Sequence, residues 1–169
     1  MKRLFTGKTC AILLAVAFLL CAVSSACAQK CEYTSAQQFA DYLDSKEVIY
    51  EYGGVDDGYE RIDVTYTLDY FKVTCCLFFK EDNEQVNLRI WEIAKPTADR
   101  NTVLASVNKL NYNYKFGKFL LDEGDGTLSL ELDMYISGEN SGYCAYRGMN
   151  VLLSILDDED IAAEILSLK

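Results

Sequence analysis

The 169 residues carry 16 Lys and Arg against 26 Asp and Glu, a net charge of −10, and no histidine at all. A surface that acidic repels phosphate backbones and anionic headgroups, so nucleic acid and bare membrane are excluded as favoured partners. Without imidazole, Ser-His and Cys-His nucleophile pairs and His-ligated metal centres are impossible, and the commonest general base is missing. The composition therefore points away from an enzyme and implies no cofactor.

The chain opens on Lys2, Arg3 and Lys8, then runs without charge from Ala11 to Val23 and reaches small residues at Ala26-Cys27-Ala28. A basic head, a short apolar stretch and a small-residue cleavage site make an export signal. The apolar stretch is shorter than the ~20 residues that span a bilayer. Residues 1–28 thus read as a signal peptide and residues 29–169 as a single domain, secreted or periplasmic. The alternative is lipidation at Cys27, which would anchor the domain on a membrane, but Ser24 stands where a lipobox carries leucine. Cleavage near Ala28 leaves 141 residues (169 less 28) with 13 basic side chains (16 less three) and all 26 acidic ones. That length builds a core without relying on disulfides.

In the remaining chain, Thr34-Ser35 followed by Gln37-Gln38 resembles a capping box, and Phe39, Tyr42 and Leu43 continue at helical spacing, so residues 35–46 read as a helix. Val48 to Tyr52 is extended, and Gly53-Gly54 with Asp56-Asp57-Gly58 supplies turn chemistry. Three alternating segments follow. Ile62, Val64, Tyr66 and Leu68 share one phase; then Phe71, Val73, Cys75, Leu77 and Phe79; then Val86, Leu88 and Ile90. Period two with short polar connections predicts an antiparallel meander.

After Lys95-Pro96, Thr97 is the expected N-cap of a helix over residues 98–112, with Asp99 in its first turn. Strands are expected at 115–121 and 127–136, joined by the turn at Glu123-Gly124-Asp125-Gly126. Residues 137–142 read as a loop and 144–156 as a helix. Asp157 to Asp160 then forms the acidic start of a last helical stretch carrying Ile161, Ile165 and Leu166. The expected class is α+β: an antiparallel sheet with helices at the start, middle and end, gathered on one side.

Asn108-Lys109-Leu110-Asn111, leading through Lys115-Phe116-Gly117-Lys118-Phe119 into Leu121-Asp122, resembles the YbjN-domain family. The resemblance implies a fold like that of the class I type III secretion chaperones and a sensory-regulator role, with no established biochemical activity. Many members are cytoplasmic, whereas this chain carries a leader. The motif also has a purely structural reading: asparagines at a helix end cap backbone groups, and Gly117 marks a close backbone approach or a bulge.

Four cysteines follow the leader: Cys31, Cys75, Cys76 and Cys144. They allow three complete pairings. Cys75 and Cys76 are adjacent on a strand and point to opposite faces, so at least one is expected to be bonded to Cys31 or Cys144 in an oxidising compartment. Four-cysteine metal spacing is absent. The acidic groups at Asp56-Asp57 and at Asp122 to Asp125 lack calcium-loop spacing and read as turns.

The candidate binding surface is the sheet face opposite the core, where Phe78, Trp91 and Arg89 fall in one phase with Cys76, Lys72, Thr74 and Asn87. Trp and Arg are enriched where protein surfaces meet. The expectation is a non-catalytic protein-binding or chaperone-like module, with dimerisation through this face or the sheet edges. Its rivals are an envelope sensor with a ligand pocket between helices and sheet, and a histidine-free hydrolase with two close carboxylates. Terminal helices covering the second face would remove the surface.

Overall fold

Apolar side chains at every second position mark the longer strands of one sheet, and apolar stripes at helical spacing lay four helices over one side of it. In the computed structural model, which describes residues 30–169, the elements are α1 (Thr34–Ser45), β1 (Glu51–Asp56), β2 (Tyr59–Thr67), β3 (Lys72–Lys80), β4 (Gln85–Ala94), α2 (Arg100–Asn113), β5 (Lys118–Leu121), β6 (Leu128–Tyr135), α3 (Ser141–Leu156) and α4 (Glu159–Leu166). The expected signal peptide and Cys27 lie outside the described residues. No helix among the described residues is long and apolar enough to cross a membrane.

The strands form one antiparallel sheet in the order β1-β2-β3-β4-β6-β5. β1 to β4 make the expected meander. The chain then crosses through α2 to the far edge, and the β5–β6 hairpin folds back so that β6 pairs with β4. The inner face carries Ile62 and Val64 from β2, Leu77 and Phe79 from β3, Leu88 and Ile90 from β4, and Leu128 and Leu130 from β6, all fully buried. Phe39 and Leu43 of α1, Met149, Leu152 and Leu156 of α3, and Ile161 and Ile165 of α4 close over them. Burying each such side chain stabilises the fold by about 1.5–3 kcal/mol.

Several boundaries differ from the sequence expectation, each for a physical reason. Gly53-Gly54 is not a turn but a bulge inside β1, where the register against β2 slips between Tyr52 and Gly54. Only Asp57 and Gly58 turn the hairpin, both at positive φ. Thr97 does not cap α2. Asp99 does, its carboxylate accepting from the backbone N–H of Asn101 (3.0 Å) and Thr102 (3.2 Å). The capping box of α1 does not form either: Tyr33 is the N-cap and offers no side-chain bond. Tertiary partners replace it. The buried Glu60 accepts from the N–H of Glu32 and of Tyr33, both at 2.7 Å, and Asn83 in the β3–β4 turn accepts from the N–H of Ser35 at 2.9 Å. The loop expected at 137–142 is instead a short 3-10 turn, Gly138–Asn140, running straight into α3.

Candidate functional site

On β2, β3 and β4 the residues out of phase with the core face away from all four helices, so among the described residues this outer sheet face is uncovered. Phe78 and Trp91 meet there edge to face, ring centroids 5.7 Å apart. Arg61, which the sequence reading passed over, lies above both rings, its Cζ 5.5 Å from the Phe78 centroid and 5.8 Å from that of Trp91. A guanidinium held against two aromatic rings gains cation–π attraction and shields their edges from water. Gly53 makes room for it: a Cβ on that glycine would sit 2.8 Å from Cγ of Arg61.

Arg61 is fixed from below. Its Nε donates to Asp63 at 2.7 Å and its Nη2 to the Cys76 sulfur at 3.3 Å. Burial and the neighbouring Asp63 carboxylate push the Cys76 thiol up to about 11, against the opposing pull of Arg61. That shift disfavours the thiolate, which is the nucleophilic form. Trp91 remains 45% exposed.

Arg89 shares the face but not the cluster. It turns toward β6, pairing with Asp133 at 2.6 Å and Glu131 at 3.5 Å, and donates to the Leu88 carbonyl. Of the three residues named from the sequence, the fold thus brings Phe78 and Trp91 together and engages Arg89 elsewhere. Arg61 was legible in principle, since it alternates in phase with Asp63 and faces Phe78 in the β2–β3 register.

The four cysteines among the described residues are free thiols, so the expected disulfide is not formed in this structure. Strand alternation puts Cys75 on the inner face and Cys76 on the outer one. Cys31 is buried beside Glu60 and Asp41, and its thiol is pushed up to about 12 by burial first and by those carboxylates second. The Cys75 thiol is likewise raised by burial.

The acidic groups serve turns. Asp122 accepts from the N–H of Gly124 (2.7 Å), and Asp125 from the N–H and hydroxyl of Thr127 (2.8 and 2.7 Å). The Asn-Lys-Leu-Asn segment is structural at its second asparagine. The Asn111 amide donates to the Phe119 carbonyl at 2.9 Å and accepts from the Phe119 N–H at 2.7 Å, standing in for a strand partner along β5. It does so from ordinary helical backbone and not from the left-handed region. Gly117 is a close approach: a Cβ there would lie 2.9 Å from the side-chain tips of both Ile155 and Leu130.

A cleft of about 740 Å³ lies between α2 and α4, bordered by Lys109, Asn113, Tyr114, Asp160 and Glu164. It sits between helices and not between helices and sheet, where a sensor pocket was expected.

No curated protein sequence matches the chain significantly. Among solved structures it is similar to the crystal structure of YbjN from E. coli, at 10% identity and a TM-score of 0.43, over 69% of this chain and 84% of that one. The model of the YbjN family, described as "Putative bacterial sensory transduction regulator", matches residues 35–141. That span takes in α1, all six strands, the Asn111–Phe119 bridge and the outer face: the chain belongs to the YbjN family.

Proposed function

We propose that this protein is a non-catalytic, chaperone-like binding module that works outside the cytoplasm and grips a protein partner with the outer face of its sheet. One observation carries the reading: all four helices pack on the inner face, leaving Phe78, Trp91 and Arg61 together on a sheet surface that no described residue covers. Buried aromatic and Arg anchors dominate binding energy at protein interfaces. The family description as a regulator supports docking over turnover, and the basic-apolar-small layout of residues 1–28 supports export.

The partner is a protein, a second copy of this chain included. The test uses Trp91→Ala, with circular dichroism to verify folding. Sedimentation equilibrium and retention of proteins from the native envelope fraction should both be measured. Loss of self-association or of a specific retained protein is expected; a folded variant unchanged in both would sink the reading. The cleft between α2 and α4 favours a second reading, a regulator that senses a small polar ligand. A thermal-shift screen with no hit that depends on Lys109 removes it.

A further inference from the structure

The outer face stops being flat at β4. Between the pairs Ile90–Leu130 and Ala94–Leu128, β4 sets three residues, Trp91, Glu92 and Ile93, against the single Ser129 of β6. Ile93 turns inward to the core, Glu92 takes a positive φ of 54°, and Trp91 stays on the outer side. The bulge opens a cleft of about 400 Å³ whose border includes Trp91, Glu92, Asp125 and Glu131, with Leu120 and Ser129 beneath. Trp91 borders both this cleft and the aromatic cluster: Arg61 and Phe78 belong to β2 and β3, whereas the cleft residues other than Trp91 and Glu92 come from β5, β6 and the turn between them.

Two independent features mark the cleft as a place for a ligand. Ser129 is only 6% exposed and lines the cleft, yet its hydroxyl makes no hydrogen bond to any described residue. That hydroxyl opens to the cleft and is free to accept from a donor that enters it. The Trp91 ring, meanwhile, already attracts a guanidinium on its β2–β3 side.

The chemistry of the border decides what fits. Glu92, Asp125 and Glu131 are acceptors only when ionised; Asp125 already accepts from Thr127 and Glu131 faces Arg89 at 3.5 Å, so Glu92 is the carboxylate that a new donor meets first. An ammonium or guanidinium group is a donor only. A neutral glycan, which needs donors as well as acceptors, is the poorer match. Among the described residues no carboxylates converge into a metal-holding group. The net charge of −10 steers cations toward the molecule. We propose that this cleft receives a basic side chain, Lys or Arg, from the protein partner seated on the outer face. The inference rests on the docking role of that face, with which the cleft is continuous.

Trp91 is the single tryptophan of the chain, so its emission reports on the cleft directly. A blocked Gly-Lys-Gly peptide titrated into the purified protein should shift or quench that emission saturably. The response should weaken about ten-fold on acetylation of the lysine Nζ, and by as much in Glu92→Gln, which keeps the shape and removes one charge. Ser129→Leu, which fills the cleft, should abolish it, with circular dichroism to verify folding. Absence of a saturable response, an equal response to the acetylated peptide, a stronger one to an N-acetylglucosamine oligomer, or equally tight binding of free putrescine would each overturn the proposal. The two readings separate cleanly: if Trp91→Ala abolishes partner association while the peptide gives no signal in the unmutated protein, the docking face stands and the basic-side-chain cleft falls.

Discussion

Glu60 is the residue on which the start of the domain depends. It is fully buried, and its carboxylate accepts three hydrogen bonds: from the N–H of Glu32 and Tyr33, both at 2.7 Å, and from the Tyr52 hydroxyl at 2.9 Å. A carboxylate offers acceptor sites on both oxygens, whereas the amide of glutamine offers one oxygen and turns two N–H donors toward a group already made of donors. Glu60→Gln should therefore cost about 2–3 kcal/mol, because one charge-assisted bond is lost and a buried donor is left facing another. Tyr52→Phe removes a single bond and should cost only about 1 kcal/mol. Urea unfolding of the two variants gives the comparison; equal losses would mean that the Glu60 carboxylate is not what holds residues 32–33. The residue was legible in the sequence. Extending the Ile62-Val64 alternation back by one step puts Glu60 on the core face, where a charge demands partners. What could not be read was that those partners come from the segment just before α1, 27 and 28 positions away.

At the scale of elements, two of the close approaches made by glycine differ in what stands opposite. A Cβ on Gly142, in the first turn of α3, would lie 2.2 Å from the backbone carbonyl oxygen of Gln38 in α1. That contact sets the α1–α3 crossing, and backbone cannot swing aside. Gly142→Ala should cost about 3 kcal/mol or more, at the top of the range for overpacking. A Cβ on Gly117 would meet the methyl tips of Ile155 and Leu130 at 2.9 Å, which can rotate away, so Gly117→Ala should cost about 1 kcal/mol. Thermal unfolding should rank the two in that order, and the reverse order would show that α1 and α3 can slide apart freely. Sequence periodicity located most elements here because the longer strands and the helices announce their own buried phase; it placed β1, which buries no side chain, too early. It misread Gly142 as loop and Gly53-Gly54 as turn for a common reason: glycine signals only that a side chain is unwelcome. Whether a turn, a helix crossing or the stem of Arg61 excludes it is decided by chain far away. The same limit hid the cleft beside Trp91, since a bulge in β4 exists only relative to β6.

For the whole molecule, the helix and strand order was readable, and so was the gathering of helices on one side; the insertion of β6 beside β4 was not, because pairing of non-consecutive strands leaves no local trace. Composition does fix one global property, the dependence of stability on pH. With no histidine, the chain has no side chain whose ordinary titration falls between about pH 5 and 8, only its α-amino group. The shifted groups lie outside that window. Hydrogen bonds lower the carboxyls of Asp82, Asp99 and Asp125 below 3.8, and bonds from Lys109 and Ser106 lower that of Glu164 below 4.5. A group whose pKa is lower in the folded state adds stability that is complete above its unfolded value and lost as pH falls through the folded one, so the acid limb lies below about pH 4.5. On the other side, Cys31 is raised from 9.0 to about 12, Cys76 from 9.0 to about 11 and Tyr52 from 10.0 to about 12. The folded state holds these protons more tightly, so their contribution is complete below pH 9 and is lost as pH climbs toward 11 and 12. The urea midpoint should accordingly stay flat from about pH 5 to 8, fall on either side, and fall less steeply above pH 9 in Cys31→Ala. A slope inside the plateau, or an alkaline limb unchanged by that substitution, would show that burial beside Glu60 does not govern the Cys31 thiol.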